Sequence, residues 1–114
     1  MRATSQPQAK RRSSAPVFAA LGDETRLRLV TRLSNEGPLS IARLTAGSHV
    51  TRQAVSKHLL VLAQAGLARS FHRGRERVWE LEKAPLLTAN EFLHHMSQQW
   101  DVALARLADL VEHG

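Results

Sequence analysis

Apolar residues recur every three or four positions in five stretches of the chain, and between the fourth and fifth stretches they alternate instead. Val17, Phe18 and Leu21 share one face of a short helix that Gly22 ends. Asp23 suits the N-cap of a second helix, with Glu24 in its first turn, where the helix dipole favours an anion. Leu27, Val30 and Leu33, with Leu29 beside them, give that helix an apolar stripe, and Gly37-Pro38 stops it. Leu39, Ile41, Ala42 and Leu44 mark a short third helix ending near Ala46-Gly47. After Ser48-His49-Val50, Thr51 is the expected N-cap of a fourth helix. Its Val55, Leu59 and Leu62 fall at i, i+4 and i+7 and so face a core, and Gly66 closes it.

Two helices joined by a short turn, the second with a polar N-terminal half, form a helix-turn-helix. Residues 67–73 and 76–81 then read as two strands, with Gly74 at the tip of a β-hairpin and Trp79 and Leu81 on one side. A hairpin in this position is a wing. The fifth stretch predicts one long helix, from a capping box at Thr88-Ala89-Asn90-Glu91 or a turn earlier at Pro85. Phe92, Met96, Trp100, Ala103, Leu107 and Leu110, with Leu93, Leu104 and Val111 alongside, line it almost without a break. About 25 residues make a helix of roughly 38 Å, longer than so small a domain can cover. The expected fold is therefore mostly α with a small β-hairpin wing: five helices, the last extending to meet a second chain.

Charge sharpens this picture because it is unevenly placed. The net charge is +6, yet no acid occurs between Gly37 and Arg75, a span holding Arg43, Arg52, Lys57, Arg69, Arg73 and Arg75. Residues 84–114 hold one Arg, Arg106, against Glu91, Asp101, Asp109 and Glu112. A one-signed patch beside an acidic segment suggests a polyanion-facing surface and a separate face for something else. Residues 1–16, with Arg2, Lys10, Arg11 and Arg12 and no acid, read as a disordered basic arm before a domain at 17–114. The chain has no cysteine, which excludes disulfides, thiolate metal sites and cysteine nucleophiles. No apolar run reaches the roughly 20 residues of a membrane span, and the first residues lead into no hydrophobic segment of a signal peptide. A cytoplasmic, nucleoid-associated chain is expected.

With Val55, Leu59 and Leu62 inward, the fourth helix presents Arg52, Gln53, Ser56 and Lys57, with His58 at its flank. A helix fits the major groove; Arg pairs with guanine O6/N7, Gln with adenine N6/N7, and Ser serves a base or a phosphate. Thr51 would cap the helix and reach a phosphate. Arg73 and Arg75 at the wing tip, with Arg69, His72 and Arg77 nearby, would meet phosphates or an adjacent minor groove. Duplex DNA is the expected partner. A protein-docking module, antitoxin-like or adaptor, is the alternative, though no acid-rich groove accompanies the polar helix. An enzyme is not expected, because no nucleophile elbow, phosphate loop, paired-carboxylate site or HExxH is present.

The run from Phe18 to Val30 (FAALGDETRLRLV) resembles the "ALADPTR" opening of ArsR-type winged-helix repressors. Thr51 to Leu59 (TRQAVSKHL), with Leu62 and Ala65-Gly66-Leu67, is similar to that family's recognition segment, and Gly74-Arg75 before Val78-Trp79 to its wing. The resemblance spans about residues 17–112. It implies a homodimeric repressor on an inverted-repeat operator, the first and last helices pairing between subunits through Phe18, Leu21, Phe92, Met96, Trp100, Leu104 and Leu107. Metal-sensing members carry a cysteine motif on the helix before the recognition helix; here residues 39–45 are LSIARLT, without a thiol. Others sense zinc or nickel through Asp and His on the last helix. His94 and His95 point about 100° apart, which leaves Glu91 and His94 as a weak two-ligand candidate needing the partner subunit. The expectation is a DNA reader with no cofactor and an effector its sequence does not name.

Overall fold

The computed structural model describes residues 14–113. Among them, five helices and three strands follow in the order α1 (Ala15–Leu21), α2 (Glu24–Glu36), β1 (Leu39–Ser40), α3 (Ile41–Ala46), α4 (Arg52–Gln64), β2 (Ala68–Arg73), β3 (Glu76–Leu81) and α5 (Ala84–His113). The expected winged helix-turn-helix is present, enlarged by β1. The three strands form one antiparallel sheet in the order β1-β3-β2.

Local chemistry accounts for most boundaries. Pro16 sits in the first turn of α1, where its missing N–H costs no helical bond. The Asp23 carboxylate accepts from the Arg26 backbone N–H at 3.0 Å and caps α2. Ser40 Oγ does the same for α3 through Arg43 N–H, and Thr51 Oγ1 for α4 through Ala54 N–H at 3.1 Å. Gly74 takes φ +64° while Arg75 keeps a negative φ, the pattern of a two-residue hairpin loop with glycine first.

Four features depart from expectation. Leu39 belongs to β1 and not to α3: it pairs with Trp79, and Ser40 with Val78. With β1 on its free edge, β3 is the middle strand of the sheet, and Val78 and Trp79, on its opposite faces, are both buried, so the simple alternation fails there. Leu27 is exposed, because the buried face of α2 runs through Leu29 and Leu33. Helix α1 already starts at Ala15, with its N-cap Ser14 buried; residues 1–13 of the expected basic arm lie outside the described residues.

The core gathers Leu29 and Leu33 of α2, Leu44 of α3, Val55, Leu59 and Leu62 of α4, Leu67 and Trp79 around one centre, closed by Val17 and Ala20 of α1 and Ala89 of α5. Leu44, Val55, Leu59, Leu62 and Leu67 have no exposed surface at all. This clamps α4 against α1, α2, α3 and β2 and fixes which of its sides faces out. The last helix behaves differently. At 30 residues it is about 45 Å long, and Ala89 is its one buried residue. None of the helices among the described residues is long and apolar enough to cross a membrane.

Candidate nucleic-acid interface

Helix α4 is aimed by what holds its start. Helix α3 ends at Ala46, residues 47–51 separate it from Arg52, and Val50 N–H donates to Ser48 Oγ within the turn. The Arg32 guanidinium of α2 donates to the Arg43 and Leu44 carbonyls at 3.2 and 3.3 Å. It thereby satisfies carbonyls at the C-terminal end of α3, where a cation also suits the dipole. Arg32 also bonds Glu36, whose carboxyl is held below its usual range chiefly by that hydrogen bond. A Cβ on Gly47 would stand 2.4 Å from Arg32 Nη1, so a larger residue there would push the guanidinium from its present place. Arg32 is therefore a tie between helices and not the plain solvated residue its position on the helix suggests.

The side of α4 opposite Val55, Leu59 and Leu62 carries Arg52, Gln53 and Lys57, all exposed, and Ser56, half-buried. Among the described residues neither Arg52 nor Lys57 forms an ion pair. Leu60 escaped the sequence reading. It follows Gln53 by seven residues, shares that face and is 54% exposed; the helical spacing that placed Gln53 outward would have placed it too.

His58 lies off this face and turns toward α2. Its Nδ1 is 3.2 Å from Arg26 Nη1 and 3.9 Å from the Asp23 carboxylate. Arg26 Nε donates in turn to the Ala20 carbonyl of α1. Asp23 is held below its ordinary carboxylate value first by the Arg26 backbone N–H, with charges on His58 and Arg26 adding to the effect against some desolvation.

The wing divides its basic residues. Arg69 is paired with Glu80 and Glu82, and Glu80 raises the guanidinium pKa further. Arg77 donates to Ser70 Oγ across the hairpin at 2.8 Å. Arg73 lies 5.7 Å over the Phe71 ring, an attraction that holds it without neutralising it. Arg75 and His72 are exposed, and among the described residues Arg75 has no ion-pair partner. The tip is thus the cationic end of the wing and the base its neutralised end.

Glu91 and His94 both stand exposed on α5, and among the described residues no three His, Asp or Glu side chains are close enough to hold a metal ion. The residues expected to pair between subunits fall into two groups. Phe18 and Leu21 are partly buried against the core, Phe18 with its ring 6.0 Å from that of Phe92. Phe92, Met96, Trp100, Leu104 and Leu107 are exposed along α5, Trp100 by 61%.

The helix-turn-helix domain family matches residues 21–70, from the end of α1 into β2. The HTH-type transcriptional regulator Rv2034 of Mycobacterium tuberculosis is 36% identical over 101 residues, 89% of this chain and 91% of that protein. An ArsR-like transcriptional regulator from Rhodococcus sp. RHA1 shares the fold with a TM-score of 0.75 at 34% identity, covering 96% of this chain and 99% of the other. The chain belongs to the ArsR family of winged helix-turn-helix regulators. As an ArsR-family member it is a DNA-binding transcriptional regulator and not an enzyme. The HTH-type regulator YuzN of Bacillus subtilis, 40% identical over 76 residues, 61% of this chain and 83% of its own length, agrees with that assignment.

Proposed function

We propose that this ArsR-family chain is a homodimeric repressor that reads an inverted-repeat DNA site with the N-terminal half of α4. The observation that carries the proposal is the exposed, acid-free face of Arg52, Gln53, Ser56 and Lys57, on a helix whose other side is locked into the core. In the major groove Arg52 and Gln53 would make bidentate contacts to purines, and Ser56, Lys57 and the Thr51 helix end would meet bases or phosphates. Arg73 and Arg75 would add phosphate contacts from the wing tip. Arg69 and Arg77, held by Glu80, Glu82 and Ser70, would add less.

Support for pairing comes from the exposed apolar length of α5 and from a homodimeric winged helix-turn-helix DNA-binding domain of Mycobacterium bovis, whose fold this chain shares with a TM-score of 0.60 at 19% identity. Two recognition helices related by a two-fold axis would meet half-sites about 10–10.5 base pairs apart. One relative, the arsenic-resistance regulator ArsR1 of Pseudomonas putida, is 32% identical over 59 residues, 52% of this chain and 46% of its length. This chain contains no cysteine and so has no thiolate with which to sense a metal or metalloid. A regulator of this kind would work in the cytoplasm.

Selection of bound duplexes from a random pool, repeated with added Zn²⁺ and with EDTA, tests the reading. A two-fold-symmetric site should emerge, and run-off transcription from a promoter carrying it should fall as protein is added. Gln53→Ala should then relax preference at one half-site position by about 1–3 kcal/mol. Equal loss on every sequence would remove Gln53 from base reading, and absence of any salt-dependent duplex binding would favour a docking module.

A further inference from the structure

We infer that His58 divides its ring between two tasks, with Arg26 as the positioning residue that assigns them. A guanidinium donates hydrogen bonds and cannot accept them. Arg26 Nη1, at 3.2 Å, therefore makes Nδ1 of His58 the acceptor, and the proton of the neutral imidazole resides on Nε2. The Asp23 carboxylate, at 3.9 Å from the same Nδ1, is beyond hydrogen-bond reach and does not compete for a proton there. Arg26 is itself anchored by its Nε–H on the Ala20 carbonyl, so the guanidinium has little freedom to turn away. Among the described residues Nε2 has no hydrogen-bond partner, and the side chain keeps 24% of its surface exposed.

The ring thus pins α4 to the α1–α2 corner through one nitrogen and offers an N–H to an acceptor outside the chain through the other. His58 follows Lys57 and lies to the side of the face that Arg52, Gln53, Ser56 and Lys57 occupy, between that face and the start of α2. The acceptor that chemistry and placement fit is a DNA phosphate oxygen, and this part of the inference rests on the reading of α4 as the DNA-facing helix. In duplex binding measured above the ordinary imidazole range the donor is neutral and releases no counterion. Its contact should add affinity without adding to the salt slope, unlike one made by Lys or Arg.

Two measurements on the full chain separate the halves of the inference. Long-range ¹H–¹⁵N correlation of the imidazoles, without DNA and above the ordinary imidazole range, should show His58 with its proton on Nε2. Arg26→Ala should move His58 alone, among the six histidines, toward a mixture of tautomers. A proton on Nδ1, or a spectrum that Arg26→Ala leaves unchanged, overturns the assignment. On the selected duplex, His58→Asn supplies a carbonyl in place of Nδ1 but no outward donor. It should weaken binding roughly tenfold, as for one hydrogen bond to a charged group, with the salt slope kept. His58→Gln, whose amide nitrogen takes the place of Nε2, should recover most of that loss. Wild-type affinity in His58→Asn, or equal losses in both variants, overturns the outward donor. A wild-type chain that binds no duplex removes the phosphate contact together with the DNA reading, while the tautomer measured in the free chain still stands or falls by itself.

Discussion

Two tryptophans in this chain sit in apolar surroundings of equal promise and meet opposite fates. Trp79 in the wing is 4% exposed, packed under β1 against the winged-helix core. Trp100, in the middle of α5, is 61% exposed. The same contrast holds between whole regions. From Ser14 to Ala89 every helix buries at least one apolar residue in the core, and from Asn90 to His113 no residue is buried. Periodicity reports that a face is meant to be covered. It does not report by which chain, and only the geometry separates the face covered within the fold from the one left exposed.

The sharpest test of the difference sets one leucine from each region against the other. Leu59 has no exposed surface, whereas Leu104 is 55% exposed. Leu59→Ala should cost about 2–5 kcal/mol in denaturant unfolding, through lost burial and the cavity left behind, at any protein concentration. Leu104→Ala should lower only the concentration-dependent part of the stability, as expected for a residue that counts through association. If both variants lose the same stability at high dilution, the two regions are not distinct.

Next in size is the loss of pairing. Trp100→Asp places a charge in the middle of the exposed stripe, where a dimer would have to desolvate it. Analytical ultracentrifugation should show monomers, while circular dichroism and the buried Trp79 fluorescence should report a folded winged half. An intact dimer would break the comparison, and so would a chain unfolded throughout.

Much of the winged half was legible because its signals are local. A cap needs one oxygen and one N–H three residues on, so Asp23 and Thr51 could be read directly; Val55, Leu59 and Leu62 needed only helical spacing. The family motifs lie in this same region. Strand β1 was not legible: two residues cannot display alternation, and Leu39 reads equally well as the start of α3. Leu27 failed for a related reason, since the apolar stripe of α2 is wide enough to let the buried side be chosen by its neighbours. The candidate interface was legible as a list of residue types but not as a set of free charges. Arg69 meets Glu80 and Glu82 only through the hairpin register set at Gly74-Arg75, and Arg26 and His58 are 32 positions apart, a pair no helical or strand spacing brings together. The ion pairs that spare Arg75 and occupy Arg69 had to come from the fold.

Charge offers a smaller effect with a clear sign. If the winged half faces DNA and outer α5 does not, then Arg75→Ala should lower the salt dependence of duplex binding by about one unit, and Arg106→Ala, on the acidic helix, should leave it unchanged. Filter binding or anisotropy over a salt series measures both. A drop with Arg106→Ala would place α5 at the phosphates and blur the division.

The smallest expected effect is on acid stability, and it belongs to the winged half. Asp23 titrates below its ordinary value of 3.8, first because the Arg26 N–H at the start of α2 favours the carboxylate. A carboxyl whose folded value is depressed adds stability that is complete above its unfolded value and is lost as pH falls through the folded one. Asp23 should therefore contribute fully at neutral pH and lose its contribution below 3.8. Asp23→Asn keeps an oxygen to accept from the Arg26 N–H but cannot titrate. Its melting temperature should be slightly lower than wild type at neutral pH, through the lost attraction of the carboxylate to the helix end and to Arg26, and should decline less steeply in acid until the two curves approach each other. Parallel curves across the acid range would mean that the carboxylate's charge contributes nothing at the corner where α1, α2 and α4 meet, and that hydrogen bonding alone holds it.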